Sequence, residues 1–402
     1  MAPKQFFILQ DFWPLLKFCQ IMGIFPCKRI TDENGCANLK PMKTWMLVLL
    51  WLTWSFILPA PYIGIMIYLE SDSELITATM ASSQDSQTRN GVTGFLLLMT
   101  SILQFVLVLS NIKSLKVLCC MQDEFVIMFG SSRLKNSSIK KAYLLSAIFF
   151  VFILIQVITS VLGTVLPMQD LIGDDQNGVR TLVIVLIFVL VLSMLGSFSG
   201  IFQGLALHLQ LCCNVKMIIK SFDFNEMTCS RIVLQNTVKI LKTVRMSSNV
   251  LSSQSLILVL NMLIMLICQS YLCMDYALST AYQNTAFQCA QNIFGALSTA
   301  LALWILNAQS EEIKQSLSTL KDTLRGLEVS NGIIEIDGRV HSEAYARGVL
   351  INKLAEFQGF NAYGYATLGK PLLTSVFANF ITYLIILFLY LMIMLICNSY
   401  LH

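Results

Sequence analysis

The sequence predicts an all-α fold: a polytopic membrane protein with seven transmembrane helices, N-terminus cytoplasmic, C-terminus extracellular, and helical cytoplasmic extensions. Three observations carry that prediction. Hydrophobic residues make up 56% of the 402 and charged residues only 12%, where soluble domains carry about 25% charge; mean hydropathy is +0.69. Seven runs reach the roughly 20 apolar residues that a helix needs to cross hydrocarbon, and none of them holds a Lys or Arg. Outside the runs, 25 of the 27 Lys and Arg fall in alternate segments, on one side of the membrane. So few charges cannot coat a soluble globule of this size. Disorder, nucleic-acid binding and a secreted disulfide scaffold are excluded on the same ground.

In chain order, residues 1–43 form a cytoplasmic N-terminal arm with six bases. Its apolar stretch is too short for a signal peptide and is followed at once by Asp11, so the first run is expected to direct its own insertion. The runs are 44–69, 92–112, 142–166, 181–213, 253–276, 284–307 and 374–397. They read as helices because unpaired backbone groups are costly in lipid. The alternation of a barrel strand is absent: Phe95, Leu96, Leu97, Leu98 and Met99 are apolar on every side. Runs one to six with their extensions make a unit 44–307. Residues 308–373 form a cytoplasmic linker and pre-seventh helix, and 374–402 the last span with a short outer tail.

The fourth run exceeds what a bilayer needs, so its helix is expected to continue inward through 207–219. Segments 231–246 and 311–327 also carry apolar residues at helical spacing with bases opposite. Turn dipeptides Asn331-Gly332 and Asp337-Gly338 break the chain, which places His341 in a loop, and a further helix covers 342–357. Such amphipathic helices need partners for their apolar stripes. A packed cytoplasmic bundle, shared between subunits, is the expected arrangement.

Positive charge sets orientation. The base-rich segments are the arm and the second, fourth and sixth connections, so the arm lies inside and the tail outside. This polarity is the reverse of a rhodopsin-type receptor. The outer segments, counted with Asp275 at the outer end of the fifth run, hold eight acids against two bases and the inner ones fifteen against 25. An acidic outer face draws cations, and a basic inner face suits anionic membrane lipids.

Polar side chains inside the spans concentrate in the outer halves. They are Gln156 and Thr159 in the third run, Gln269, Tyr271 and Asp275 in the fifth, and Tyr282, Asn284, Gln288 and Gln291 around the start of the sixth. Asn284, Gln288 and Gln291 share one helix face. Amides and aromatics there suit a neutral polar molecule such as a sugar, or a ring-bearing bitter compound. They suit interhelical hydrogen bonding equally well. His208, His341 and His402 are scattered, no C-x-x-C occurs among twelve Cys, and no Ser/His/Asp or phosphate-loop pattern appears. No enzyme, cofactor or metal site is therefore expected. Cys273 and Cys289 flank the short fifth connection, where a disulfide is one option.

The most specific stretch lies near the end. It runs from Phe360-Asn361-Ala362-Tyr363-Gly364 through Leu372-Leu373 to Thr382-Tyr383, five hydrophobic residues, and Leu389-Tyr390. This resembles the C-terminal signature of the insect gustatory receptors, relatives of the insect odorant receptors, in which Thr-Tyr, five hydrophobics and Gln-Phe lie in the seventh helix. Thr382 and Tyr383 match; Leu389 and Tyr390 stand where Gln and Phe are expected. The resemblance implies a chemosensory, ligand-gated, non-selective cation channel in the plasma membrane, formed as a homotetramer or with related subunits. It implies that a tastant binds in the outer half of the bundle and that the seventh helix lines a central pore. Thr382, Ile385, Ile386, Leu389, Ile393 and Ile396 are the expected pore face. Leu389, lacking the family's amide, would then gate by dewetting, as apolar constrictions do. The alternatives are a seven-helix transporter or an atypical metabotropic receptor. A transporter would bury ionisable groups at mid-membrane, where only Asp275 comes near. A receptor coupling through its C-terminus would need a cytoplasmic tail.

Overall fold

The computed structural model describes residues 7–31, 37–54, 83–129, 138–171, 177–222, 229–278, 285–328, 332–336, 338–362 and 364–401. Among these the order is α1 (Trp13–Ile21), β1 (Cys27–Thr31), β2 (Ala37–Pro41), α2 (Thr44–Leu52), α3 (Ser83–Phe129), α4 (Ser138–Leu171), α5 (Asn177–Ser221), α6 (Ser230–Leu278) and α7 (Thr285–Gly326). Then come β3 (Ile333–Ile336), β4 (Arg339–Ser342), α8 (Glu343–Glu356), β5 (Asn361–Ala362), β6 (Ala366–Thr367) and α9 (Lys370–Leu401). Every predicted run coincides with a helix, the first only through its described start in α2. The expectation of an all-α chain needs one correction. Three two-stranded antiparallel hairpins punctuate it, β1–β2, β3–β4 and β5–β6.

Four helical stretches are long and apolar enough to cross a membrane among the described residues: Gly91–Ile127, Phe198–Ser221, Ser230–Tyr276 and Ala286–Gly326. Their exposed side chains fall on single faces. On α3, Phe95, Leu98, Ile102, Val106 and Leu109 are all exposed, at spacings of three and four that put them on one stripe. α5 is different. From Phe198 to Met217 every residue is buried, so this half is enclosed by protein rather than lipid. A helix stretch buried on every side is a central one, and α1, α4, α6 and α7 pack around it. At 1.5 Å per residue the 45 residues of α5 span about 67 Å, roughly twice the hydrocarbon thickness. The excess length of the fourth run is thus explained by a C-terminal half that serves as the axis of a protein core.

The N-terminal arm is an ordered part of that core. Phe7, Ile8, Leu9, Phe12 and Leu16 are buried. Amide side chains of the long helices hold its backbone. The Ile8 N–H donates to Gln122 Oε1 at 2.8 Å and the Phe12 N–H to Gln210 Oε1 at 3.1 Å. Asn214 Nδ2 donates to the Ile8 carbonyl at 2.8 Å. Arg29 on β1 lies over the Phe7 ring, 4.6 Å from its centroid.

The C-terminal ends of α5 and α7 and the N-terminal end of α6 assemble with α8 as the amphipathic patterns require. Lys216 of α5 pairs with Glu312 of α7 and donates to Gln309 at 2.7 Å. Ser230, at the start of α6, donates to the buried Glu343 carboxylate of α8 at 2.6 Å. Segment 231–246 is the continuous start of α6, and the segment from 311 continues α7 to Gly326, as extensions of the runs beside them. The expected break carries β3–β4, turned at Gly338 with φ +76°, a left-handed conformation that glycine tolerates. His341 therefore lies on a strand, opposite Ile334, rather than in a loop. Period-2 alternation over four residues is too short to distinguish from a polar linker. α8 begins where a cap is available: the Ser342 hydroxyl accepts the Tyr345 N–H at 3.4 Å.

Candidate functional site

Two places gather the residues singled out in the sequence: the exposed face of α9, and an amide cluster where α4, α6 and α7 meet.

The base of α9 is fixed by α7. Asn307 Oδ1 accepts the Gly369 N–H at 2.7 Å, and its Nδ2 donates to the Leu303 carbonyl at 2.8 Å. One turn on, the Ser310 hydroxyl donates to the Leu368 carbonyl at 2.8 Å and accepts the Phe360 N–H at 3.1 Å. Two side chains of α7 thereby close the β5–β6 hairpin and seat the first turn of α9. The helix starts at Lys370, so Leu372 and Leu373 belong to it.

Above that base α9 packs against α6 and α7. Ile385, Ile386, Leu389 and Ile393 are between 55% and 62% exposed. Thr382 is exposed too, with its hydroxyl donating to the Ala378 carbonyl at 2.9 Å. Tyr383, on the other side, is partly buried. The exposed set is wider than the expected stripe and includes Ile381 and Phe388. The side chains of Tyr390 and Ile396 lie outside the described residues.

The amide cluster is built around Gly295 of α7. Gln156 of α4 and Gln269 of α6 are each 3% exposed. Their Nε2 atoms both come within 2.5 Å of the point that a Cβ on Gly295 would occupy. A missing side chain on one helix thus makes room for an amide from each of two others. Gln288 stands seven residues before Gly295, on the same face of α7. The Oε1 atoms of Gln156, Gln269 and Gln288 are buried and have no hydrogen-bond partner. Phe152, one turn from Gln156, meets Phe294 with centroids 6.1 Å apart. The hydroxyls nearest in sequence point elsewhere. Thr159 donates to the Ile155 and Gln156 carbonyls, Ser270 to Leu266, and Ser298 and Thr299 both to Gly295.

Of the other expected pocket residues, Tyr271, Asp275 and Gln291 are partly buried on α6 and α7, while Tyr282 and Asn284 lie outside the described residues. Cys273 and Cys289 remain thiols, the Cys289 Sγ donating to the Cys273 carbonyl at 3.6 Å. Gly295, Asn307 and Ser310 escaped sequence reasoning. Gly295 is one small residue in an apolar helix, and its meaning depends on two glutamines distant in the chain. A second amide group joins Asn111, Gln203 and Gln254, with Gln254 Nε2 donating to Asn111 Oδ1 at 2.8 Å. Among the described residues no three His, Cys, Asp or Glu side chains group as metal ligands.

No family model and no curated protein matches the sequence. Solved structures do resemble the fold. The insect olfactory receptor OR5 from Machilis hrabei in complex with eugenol superposes with a TM-score of 0.60 at 12% identity, over 95% of this chain and 98% of that one. A second structure of the same receptor gives 0.54 at 14% identity, over 94% and 98%. At such identities the likeness is one of fold, and it extends over nearly the whole of both chains.

Proposed function

We propose that the chain is a subunit of a chemosensory, ligand-gated, non-selective cation channel in the plasma membrane. Four copies surround an axis lined by α9. Each contributes seven spans, with the N-terminus inside and the C-terminus outside. A small molecule bound among α4, α6 and α7 opens the pore. The observation that carries this reading is the exposed apolar face of α9, on a fold shared end to end with an insect olfactory receptor. A pore helix must be free on the side that faces its symmetry mates. The coupling route is physical: α7 holds the amide cluster at one level and, through Asn307 and Ser310, the base of α9 at another.

The taste assignment draws support from Thr382-Tyr383 in α9. An odorant receptor is the second reading, favoured by the fold likeness to a receptor solved with eugenol. Both are tested by whole-cell recording from cells expressing the chain, challenged with sugars, bitter compounds and volatile phenols. Ligand-evoked cation current is expected. A chain that reaches the surface and passes no current with any of these contradicts the proposal. Which group evokes the current decides between taste and odour.

A further inference from the structure

Two cysteines on either side of the fifth connection meet in the fold. Cys273 lies near the end of α6 and Cys289 in the second turn of α7, sixteen positions on. These two helices pack against each other. The Cys289 Sγ donates to the Cys273 carbonyl at 3.6 Å, and the two sulfurs also interact with each other. Both residues are partly exposed, whereas Cys19, Cys27, Cys212, Cys213 and Cys268 are buried. A cysteine that serves only as a small apolar packing residue is usually covered. This pair is instead side by side, as a disulfide requires, and open to an oxidant. The other thiols with exposure, Cys119, Cys120 and Cys229, belong to the base-rich connections, on the side where thiols stay reduced. Cys119 moreover donates to the Leu39 carbonyl at 3.7 Å.

We propose that Cys273 and Cys289 are a modification site, oxidised to a disulfide that ties α6 to α7 on the outer side of the membrane. The inference rests on the orientation in the reading above, because outer-side cysteines meet an oxidising compartment on the way to the surface. The chemistry is thiol–disulfide exchange. One cysteine, as its thiolate, attacks a disulfide of a secretory-compartment oxidoreductase and displaces one of its sulfurs. The second cysteine attacks the mixed disulfide, forms the Cys273–Cys289 bond and releases the other sulfur. The pair loses two protons and two electrons, and the oxidoreductase takes them and leaves as a dithiol. Cys273 stands one turn beyond Gln269, and Cys289 follows Gln288. The bridge therefore fixes the spacing of α6 and α7 beside the amide cluster. It also closes the chain between them, which restricts the unfolded state and so stabilises the native one.

The test uses the full chain expressed in cultured cells, with free thiols alkylated by N-ethylmaleimide in denaturant at lysis. Peptide mass spectrometry should find Cys273 cross-linked to Cys289 and Cys268 carrying the label. In a second form a protease site is inserted between residues 280 and 281. After cleavage the two fragments should migrate together in a denaturing gel and separate only when reduced. Reduction of the purified native chain with a phosphine should lower its Tm by about 5 °C and leave the Tm of Cys273→Ser unchanged. N-ethylmaleimide on both Cys273 and Cys289, fragments that part without reductant, or an equal Tm shift in the native chain and Cys273→Ser each overturn the inference. Intact cells separate the bridge from the orientation it rests on. A membrane-impermeant phosphine is expected to open the bridge from outside. A bridge that opens only after permeabilisation overturns the outer placement and the orientation together, and leaves the cross-link standing. Two thiols that an impermeant maleimide labels in untreated intact cells keep the orientation and sink the bridge.

Discussion

At the scale of single residues, the account turns on side chains whose chemistry differs from their surroundings. Leu389 is the sharpest case: it is 55% exposed on a face of α9 that is apolar from Ile385 to Ile393. A ring of leucines closes a pore by excluding water. Leu389→Gln should wet the ring and raise basal or ligand-evoked current severalfold, and Leu389→Ala should leak. Unchanged conductance in both variants, at normal surface expression, would remove Leu389 from the pore. The cysteines give a second expectation. Burial pushes the Cys19 and Cys27 thiols above their ordinary range, so at neutral pH both stay protonated as well as covered, and the thiolate is the reactive form. Cys120 and Cys229 are exposed. Mass spectrometry after brief maleimide treatment of the native protein should find label on the second pair and not the first, with the first appearing only on unfolding. The glutamines were legible as residue types, since amides in apolar runs are conspicuous. Their convergence was not, because it depends on Gly295.

At the scale of elements, what the sequence revealed follows from which forces are local. Apolar runs of that length fold as helices, so the long helices could be read directly, and Ser342 marked the start of α8 because capping is a matter of a few residues. The N-terminal arm could not be read. Its hydrogen bonds join residues more than a hundred positions apart, and nothing in residues 7–25 announces that Gln122, Gln210 and Asn214 will hold their backbone. Asn214→Leu should leave the Ile8 carbonyl without a donor, at a cost of about 1–3 kcal/mol. Thermal unfolding would register the loss, and limited proteolysis would cut the arm first. The joint between α7 and α9 makes a different prediction. Asn307→Ala removes the acceptor for the Gly369 N–H but lies twelve residues from Gly295, about 18 Å along the helix. Ligand binding should be preserved while maximal current falls. A parallel loss of both would indicate general unfolding rather than broken coupling.

At the scale of the whole molecule, one architecture reconciles the composition, the charge asymmetry and the packing. Exposed apolar stripes on α3 and α4 lie on the outside of the chain, while the C-terminal half of α5 is enclosed by the arm and the other long helices. The face of α9 is the remaining apolar surface with a specific role in the proposal. The 25 bases on one side support the proposed orientation, which predicts that a membrane-impermeant maleimide reaches Cys120 and Cys229 only after permeabilisation. The proposed four-fold pore is beyond what one chain's pattern discloses, because symmetry partners leave no trace in periodicity. It is tested most directly by single-channel recording from the purified chain in planar bilayers, comparing Leu389→Cys with Leu98→Cys, which lies on the exposed stripe of α3. The account predicts ligand-dependent current steps that a charged thiol reagent blocks at Leu389→Cys and leaves unchanged in Leu98→Cys and in the native chain. Current that persists unaltered at Leu389→Cys after verified modification would contradict it.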